Sequence, residues 1–215
     1  MAATAPLPKP KTREALLKSG REIVLRVGFG ALTVREVTAA ADANLGSFVY
    51  HFGTREAFVR ELIEQWYLPL FARVRAVADS DGKAIDRLRA AVGQLLEFSG
   101  AEEQFVGRLA MGAAVDEPAA RHFLSTLAGR HPQVLLGLVR AAQAEGSLVD
   151  EDPLQVLLFL MAPVGLPRLL AAAWNGPPVF GKTLSAALSR IASDPDRIRQ
   201  RLEWAIDGLT PRGSR

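Results

Sequence analysis

Between Leu32 and Phe58 the chain reads LTVREVTAAADANLGSFVYHFGTREAF, a stretch whose caps and breaks leave room only for short helices and tight turns. Thr33 is followed three residues later by Glu36, a capping box in which each side chain can satisfy a backbone N–H at the other's end of the first turn, so a helix begins at Thr33. Val37, Ala40 and Ala41 then recur at three- and four-residue steps and give a small inward face that a second helix can approach closely. Asp42 and Asn44 break the pattern. Asn44 is a strong N-cap, and the helix it opens puts Phe48 and Phe52 one turn apart on a shared face, as core. Gly53-Thr54 ends that helix and caps the next, placing Arg55 in a first turn whose free N–H groups favour a phosphate. At about 100° per residue, Gly46, Ser47, Val49 and Tyr50 point away from the Phe48/Phe52 face. Two short helices, a tight turn and a third helix start make the layout of a helix-turn-helix DNA reader, and those outward residues are what a groove meets.

With these residues in view, the run resembles the N-terminal domain of the TetR family of bacterial transcriptional regulators. The resemblance is carried by Ala43, Asn44, Gly46, Ser47, Phe48, Tyr50, His51, Phe52, Gly53, Thr54, Arg55, Glu56 and Ala57. It implies that Thr33, Ser47, Tyr50, His51 and Arg55 contact phosphates. It also implies that Arg35 and the residues around Leu45, Gly46 and Val49, with Asn44 as the cap that sets them, face bases. The departures fall in the second group: Leu45 stands where many relatives carry a polar or basic residue, and Val49 where Tyr is common, so base readout here leans on thymine methyls. On the residues alone other roles stay open. Tyr50 and His51 also fit as packing groups at a helix end, Arg35 fits as a solvated helix residue, and Thr33 is a cap in either case.

Charge distribution agrees with this reading. Residues 1–60 hold nine Lys or Arg against five acids, whereas 61–215 hold seventeen against eighteen, so the small net charge of +3 is an N-terminal basic excess. With 215 residues, 49% hydrophobic and 23% charged, the chain has core enough for one or two compact, soluble domains. It has no cysteine, which removes disulfides, thiolate catalysis and cysteine-based metal sites. The opening MAATAPLPKPK lacks the apolar core of a secretory signal, so residues 1–11 are expected to form a flexible arm and the protein to be cytoplasmic.

From Thr12 the sequence turns helical, with Leu16, Gly20, Ile23, Val24 and Val27 at helix spacing before Gly28 and Gly30 stop it. After Thr54 a long helix runs through Phe58, Leu62 and Trp66 toward Val77, and Pro69 should bend it or make it restart near Leu68. Further helices are expected at Lys83–Ser99, Glu102–Ala113, Glu117–Ala128, His131–Glu145 and Pro153–Trp174, and a last one from Pro195. The apolar run Val156–Val164 falls short of the about 20 residues a bilayer demands, and it holds Pro163, so it reads as a buried helix and no membrane is expected. On the last helix Ile198, Leu202, Ala205, Ile206 and Leu209 form one stripe opposite Arg197, Arg199, Gln200 and Glu203. That stripe either closes the chain's own core or meets a second copy.

The fold expected is therefore all-α: a three-helix DNA-binding domain with a helix-turn-helix over 12–58 and a larger helical domain over 59–211. The resemblance implies that the larger part binds a ligand and that its last two long helices pair two copies into a homodimer on a palindromic double-stranded operator. A pocket wants apolar walls. The candidates are Trp66, Phe98, Phe105, Met111, Phe123, Met161, Pro163 and Trp174, near two prolines that interrupt helix packing, with Arg108, Arg121 or His122 to receive an acidic group. Such walls suit a small hydrophobic effector. The three histidines, His51, His122 and His131, show no metal spacing, and no phosphate loop or nucleophile elbow appears, so no catalysis, metal or cofactor is expected. Glu102-Glu103 and Asp116-Glu117 read as solvated surface. The alternatives are a DNA-bound adaptor whose large domain engages another protein, and an all-helical carrier or enzyme with an incidental motif.

Overall fold

The structure is a computed structural model that describes residues 10–173 and 181–211. Among them it is all-α. In chain order the helices are α1 (Pro10–Val27), α2 (Val34–Ala40), α3 (Leu45–Phe52), α4 (Arg55–Ala78), α5 (Ala84–Ala101), α6 (Glu103–Ala114), α7 (Pro118–Leu127), α8 (His131–Ala144), α9 (Pro153–Ala173), α10 (Gly181–Ser193) and α11 (Pro195–Leu209). They group into two compact units that do not follow a single cut in the sequence. The first takes α1 to α3, α4 as far as Pro69, and the segment Glu102–Leu127 with α6 and α7; the second takes Leu70–Ala101 and the chain from Ala128 on.

The first unit is built on aromatic packing. Phe48, Phe52 and Phe58 bring their ring centroids within 4.8–5.3 Å of one another, in tilted and edge-on pairs that suit the ring quadrupoles. Leu16, Leu17, Val24, Leu32, Val37 and Val59 close the space around them. Gly20 makes this possible: a Cβ there would lie 2.4 Å from the Phe58 ring, so α1 and α4 approach only because that carbon is missing. A second cluster joins α6 and α7, where Phe105 meets Phe29 at 5.6 Å and Trp66 at 4.6 Å, and Phe123 meets Tyr67 at 5.1 Å. Arg108 donates to the carbonyls of Leu25 and Arg26, the unpaired acceptors at the end of α1.

In the second unit α5, α8, α9 and α11 share a core of Leu88, Val92, Leu135, Val139, Leu160, Val164, Leu202 and Ile206. The two prolines inside α9 create a specific need. Pro167 has no N–H to offer the Pro163 carbonyl four residues back, and Arg201 from α11 fills the gap, its Nε donating to that oxygen at 2.7 Å. The same guanidinium donates through Nη1 to Ile191 O in the last turn of α10 at 3.0 Å. Glu145 caps the start of α5 by accepting from the Ala84 N–H at 2.8 Å, and Arg89 holds Glu203 at 2.9 Å. Burial pushes the His131 imidazole, at the start of α8, down to about 4.

Several expectations change. Helix α4 is continuous through Pro69 and does not restart at Leu68. Helix α10 is an element that the sequence reading above does not include; a Gly-Pro-Pro segment lies just before it in the sequence. The stripe of α11 turns inward: Ile198, Leu202, Ala205 and Ile206 are buried against the chain's own helices, so a second copy cannot use them. Trp204 is the large apolar residue that α11 leaves exposed. No helix is long and apolar enough to cross a membrane among the described residues.

Gly20→Ala should lower stability by about 1–3 kcal/mol in denaturant titration, because the Phe58 ring must move. Arg201→Met should cost about 1–3 kcal/mol by leaving the Pro163 carbonyl unsatisfied. For His131 the folded value lies below the unfolded 6.5, so its contribution is intact above pH 6.5 and is lost as pH falls toward 4. A His131→Asn variant should show a flatter stability profile across that window.

Candidate DNA-binding site

The reader is α2, the turn at Ala41–Asn44, and α3. Thr33 caps α2 by accepting from the Glu36 N–H at 3.2 Å; its hydroxyl in turn donates to the Glu36 carboxylate at 2.9 Å, in place of the carboxylate reaching back to a backbone N–H. Asp42 takes φ 49° to make the turn. Asn44 Oδ1 accepts from the Ser47 N–H at 2.7 Å and starts α3. The helix stops at Gly53, whose φ of 70° suits a residue without Cβ, and Thr54 Oγ1 accepts from the Ala57 N–H at 3.1 Å to begin α4.

This framework aims α3. Phe48 and Phe52 point into the core, while Leu45, Val49 and Tyr50 are 62%, 52% and 63% exposed. Gly46 is exposed beside them and Ser47 is half-buried. Thr33, Arg35 and Asn44 are exposed, and Arg35 makes no ion pair among the described residues. His51 is half-buried beside Tyr50, at 5.1 Å between ring centroids, and its Nε2 is buried with no hydrogen-bond partner among the described residues.

Arg55 requires a correction. Its guanidinium does not face outward toward a phosphate. Nε donates to Leu32 O at 2.9 Å, Nη2 to Phe29 O and to Glu117 Oε2 at 3.0 Å, and Nη1 to Glu117 Oε1 at 3.3 Å. The acceptors inside the protein are fixed and partly desolvated, which makes them better partners than solvent. Glu117, read from sequence as solvated surface, is buried, while its neighbour Asp116 turns outward and pairs with Arg121. No local pattern marks Glu117, because its partner lies 62 residues away.

The candidate pocket residues do not form one group. Trp66, Phe105, Met111 and Phe123 belong to the first unit, and Phe98, Met161 and Pro163 to the second; Trp174 lies outside the described residues. Trp66 is half-buried and meets the rings of the buried Phe105 and Phe123, and Met111 is exposed. Phe98 and Met161 are half-buried, Phe98 with Arg73 over its ring, and the Pro163 carbonyl is held by Arg201. Arg108 and Arg121 are already engaged, with the end of α1 and with Asp116. No group of His, Asp and Glu able to hold a metal occurs among the described residues.

A capped two-helix reader with its second helix presented outward defines a helix-turn-helix DNA-binding protein. Residues 16–62 match the family described as bacterial regulatory proteins, tetR family. The transcriptional repressor DhaR of Mycobacterium sp. (strain GP1) is 22% identical over 165 residues, 76% of this chain and 79% of DhaR. The repressor NemR of Escherichia coli K12 is 33% identical over 86 residues, which span 40% of this chain and 43% of NemR. Over the whole fold, the structure of a transcriptional regulator from Saccharomonospora viridis in complex with choline superposes with a TM-score of 0.70 at 16% identity, covering 95% of this chain and 100% of that one. Residues 16–62 thus carry the DNA-binding region of the tetR family of bacterial regulatory proteins, and the likeness to DhaR extends over three quarters of the chain.

Glu117→Gln keeps the shape but removes the charge facing Arg55. It should lower stability by about 1–3 kcal/mol in thermal or chemical denaturation. An unchanged midpoint would mean that the carbonyls of Phe29 and Leu32 hold Arg55 unaided.

Proposed function

We propose that the chain is a ligand-responsive repressor that binds a palindromic operator as a homodimer and is released by a small hydrophobic effector. The observation that carries the reading is the presentation of α3: a capped helix whose inward rings fix its orientation and whose outward face is free of intrachain contacts large enough to cover it. Residues 12–58 would bind DNA, and 59–211 would bind the effector and the second copy. Thr33, Ser47, Tyr50 and His51 would meet phosphates, Arg35 and the outward face of α3 would meet bases, and Arg55 would position the reader from behind.

The dimer is supported by exposed apolar residues in the second unit, Leu154, Leu158 and Phe159 on α9 and Trp204 on α11, which a second copy would cover. Two readers would then reach successive major grooves about 34 Å apart. Release by an effector is supported by the membership of α6 and α7 in the same unit as the reader, joined to it through Glu117 and Arg55, so a displacement of α7 is felt at the start of α4. The relative from Saccharomonospora viridis holds choline, a small organic molecule, within a fold of this type. Half-buried Phe98 and Met161 favour an apolar ligand here.

The test is a fluorescence-anisotropy titration of the full chain against duplex DNA from beside its own gene. Salt-sensitive, sequence-selective binding of two chains per palindrome is expected, and its absence would reject the reading. Tyr50→Phe should weaken operator and unrelated DNA alike. Arg35→Ala should change the ratio between them.

A further inference from the structure

The outward face of α3 is short of hydrogen-bonding groups, and this bears on what sequence it can read. Leu45 and Val49 are four residues apart, one turn on the same side, and each is more than half exposed. Of the polar groups nearby, Ser47 is half-buried, Tyr50 is exposed, and others are committed. Asn44 Oδ1 is held by the Ser47 N–H, and the Glu36 carboxylate by the Thr33 hydroxyl. Gly46 offers no side chain, and His51 is half-buried.

We infer that Leu45 and Val49 are the specificity-determining residues of α3 and that they read the C5-methyl groups of thymines, so that each operator half-site carries thymines under these two side chains. The inference rests on the DNA-binding reading above. In the major groove, thymine presents a methyl group where the other bases present polar or bare edges, and only that group complements a leucine or valine. Against guanine, adenine or the amino group of cytosine, the same side chains would strip water from donors and acceptors and return no hydrogen bond. Four residues of helix span about 6 Å, so the two methyl groups lie within about two base-pair steps of each other. Tyr50, next along the exposed face, is left to the backbone.

The experiment uses a palindromic duplex selected by the full chain from a randomised pool, remade with deoxyuridine in place of single thymines. This substitution removes one methyl group and leaves base pairing intact. Loss of affinity should be about 3- to 5-fold per critical methyl and on the order of 10-fold or more when both half-sites are changed together. Leu45→Asn should bind the thymine and uracil duplexes equally, whereas Leu45→Met should retain the preference; a purely structural role for Leu45 would leave the thymine-to-uracil ratio unchanged. A selected duplex that tolerates uracil at every position overturns the inference and leaves DNA binding standing. Failure to select any sequence overturns both.

Discussion

The guanidinium of Arg55 holds the first unit together at the point where three segments meet. It donates to two carbonyls in the α1–α2 connection, Phe29 and Leu32, and to both oxygens of the buried Glu117 at the start of α7. A lysine at this position would offer a point charge and could not serve all four acceptors in their fixed planes. Through this one side chain, the first residue of α4 is tied both to the base of the reader and to the helices beyond it. The consequence reaches α3: Phe58, four residues into α4, is the ring against which Phe48 and Phe52 pack. What fixes the start of α4 therefore fixes the angle of the helix that faces outward.

That arrangement makes α6 and α7 part of the reader's support, which is unusual for segments so distant in sequence. The Phe29–Phe105 and Trp66–Phe105 contacts and the capping of α1 by Arg108 act in the same direction. Loss of any one leaves the others, so the support is redundant in packing. Charge adds two pairs, Arg21–Glu102 between α1 and the start of α6, and Arg55–Glu117, the more buried of the two.

Local chemistry made part of this legible in the sequence. The caps at Thr33, Asn44 and Thr54 and the Phe48/Phe52 spacing are short-range signals, and each element they mark forms within a residue or so of its expected start. The all-α class and most helices beyond Lys83 were legible for the same reason. What escaped depends on long-range pairing. Arg55 reads as a first-turn cation until Glu117, 62 residues later, is folded against it. The α11 stripe is amphipathic whether a neighbouring helix or a second copy covers it, and only the packing of α9 and α5 distinguishes the two. Of the aromatic residues read as pocket walls, Phe105 and Phe123 are buried whereas Trp66 and Phe98 are half-buried, a distinction that periodicity cannot carry.

In the proposed reading, recognition falls on an apolar helix face held from behind by a buried ion pair. A structure of the full chain bound to its selected operator duplex measures both at once. We expect α3 in the major groove, with Leu45 and Val49 within about 4 Å of thymine methyl carbons and Arg55 still on Glu117. An α3 lifted out of the groove, or Arg55 released from Glu117 and seated on a phosphate, would contradict it.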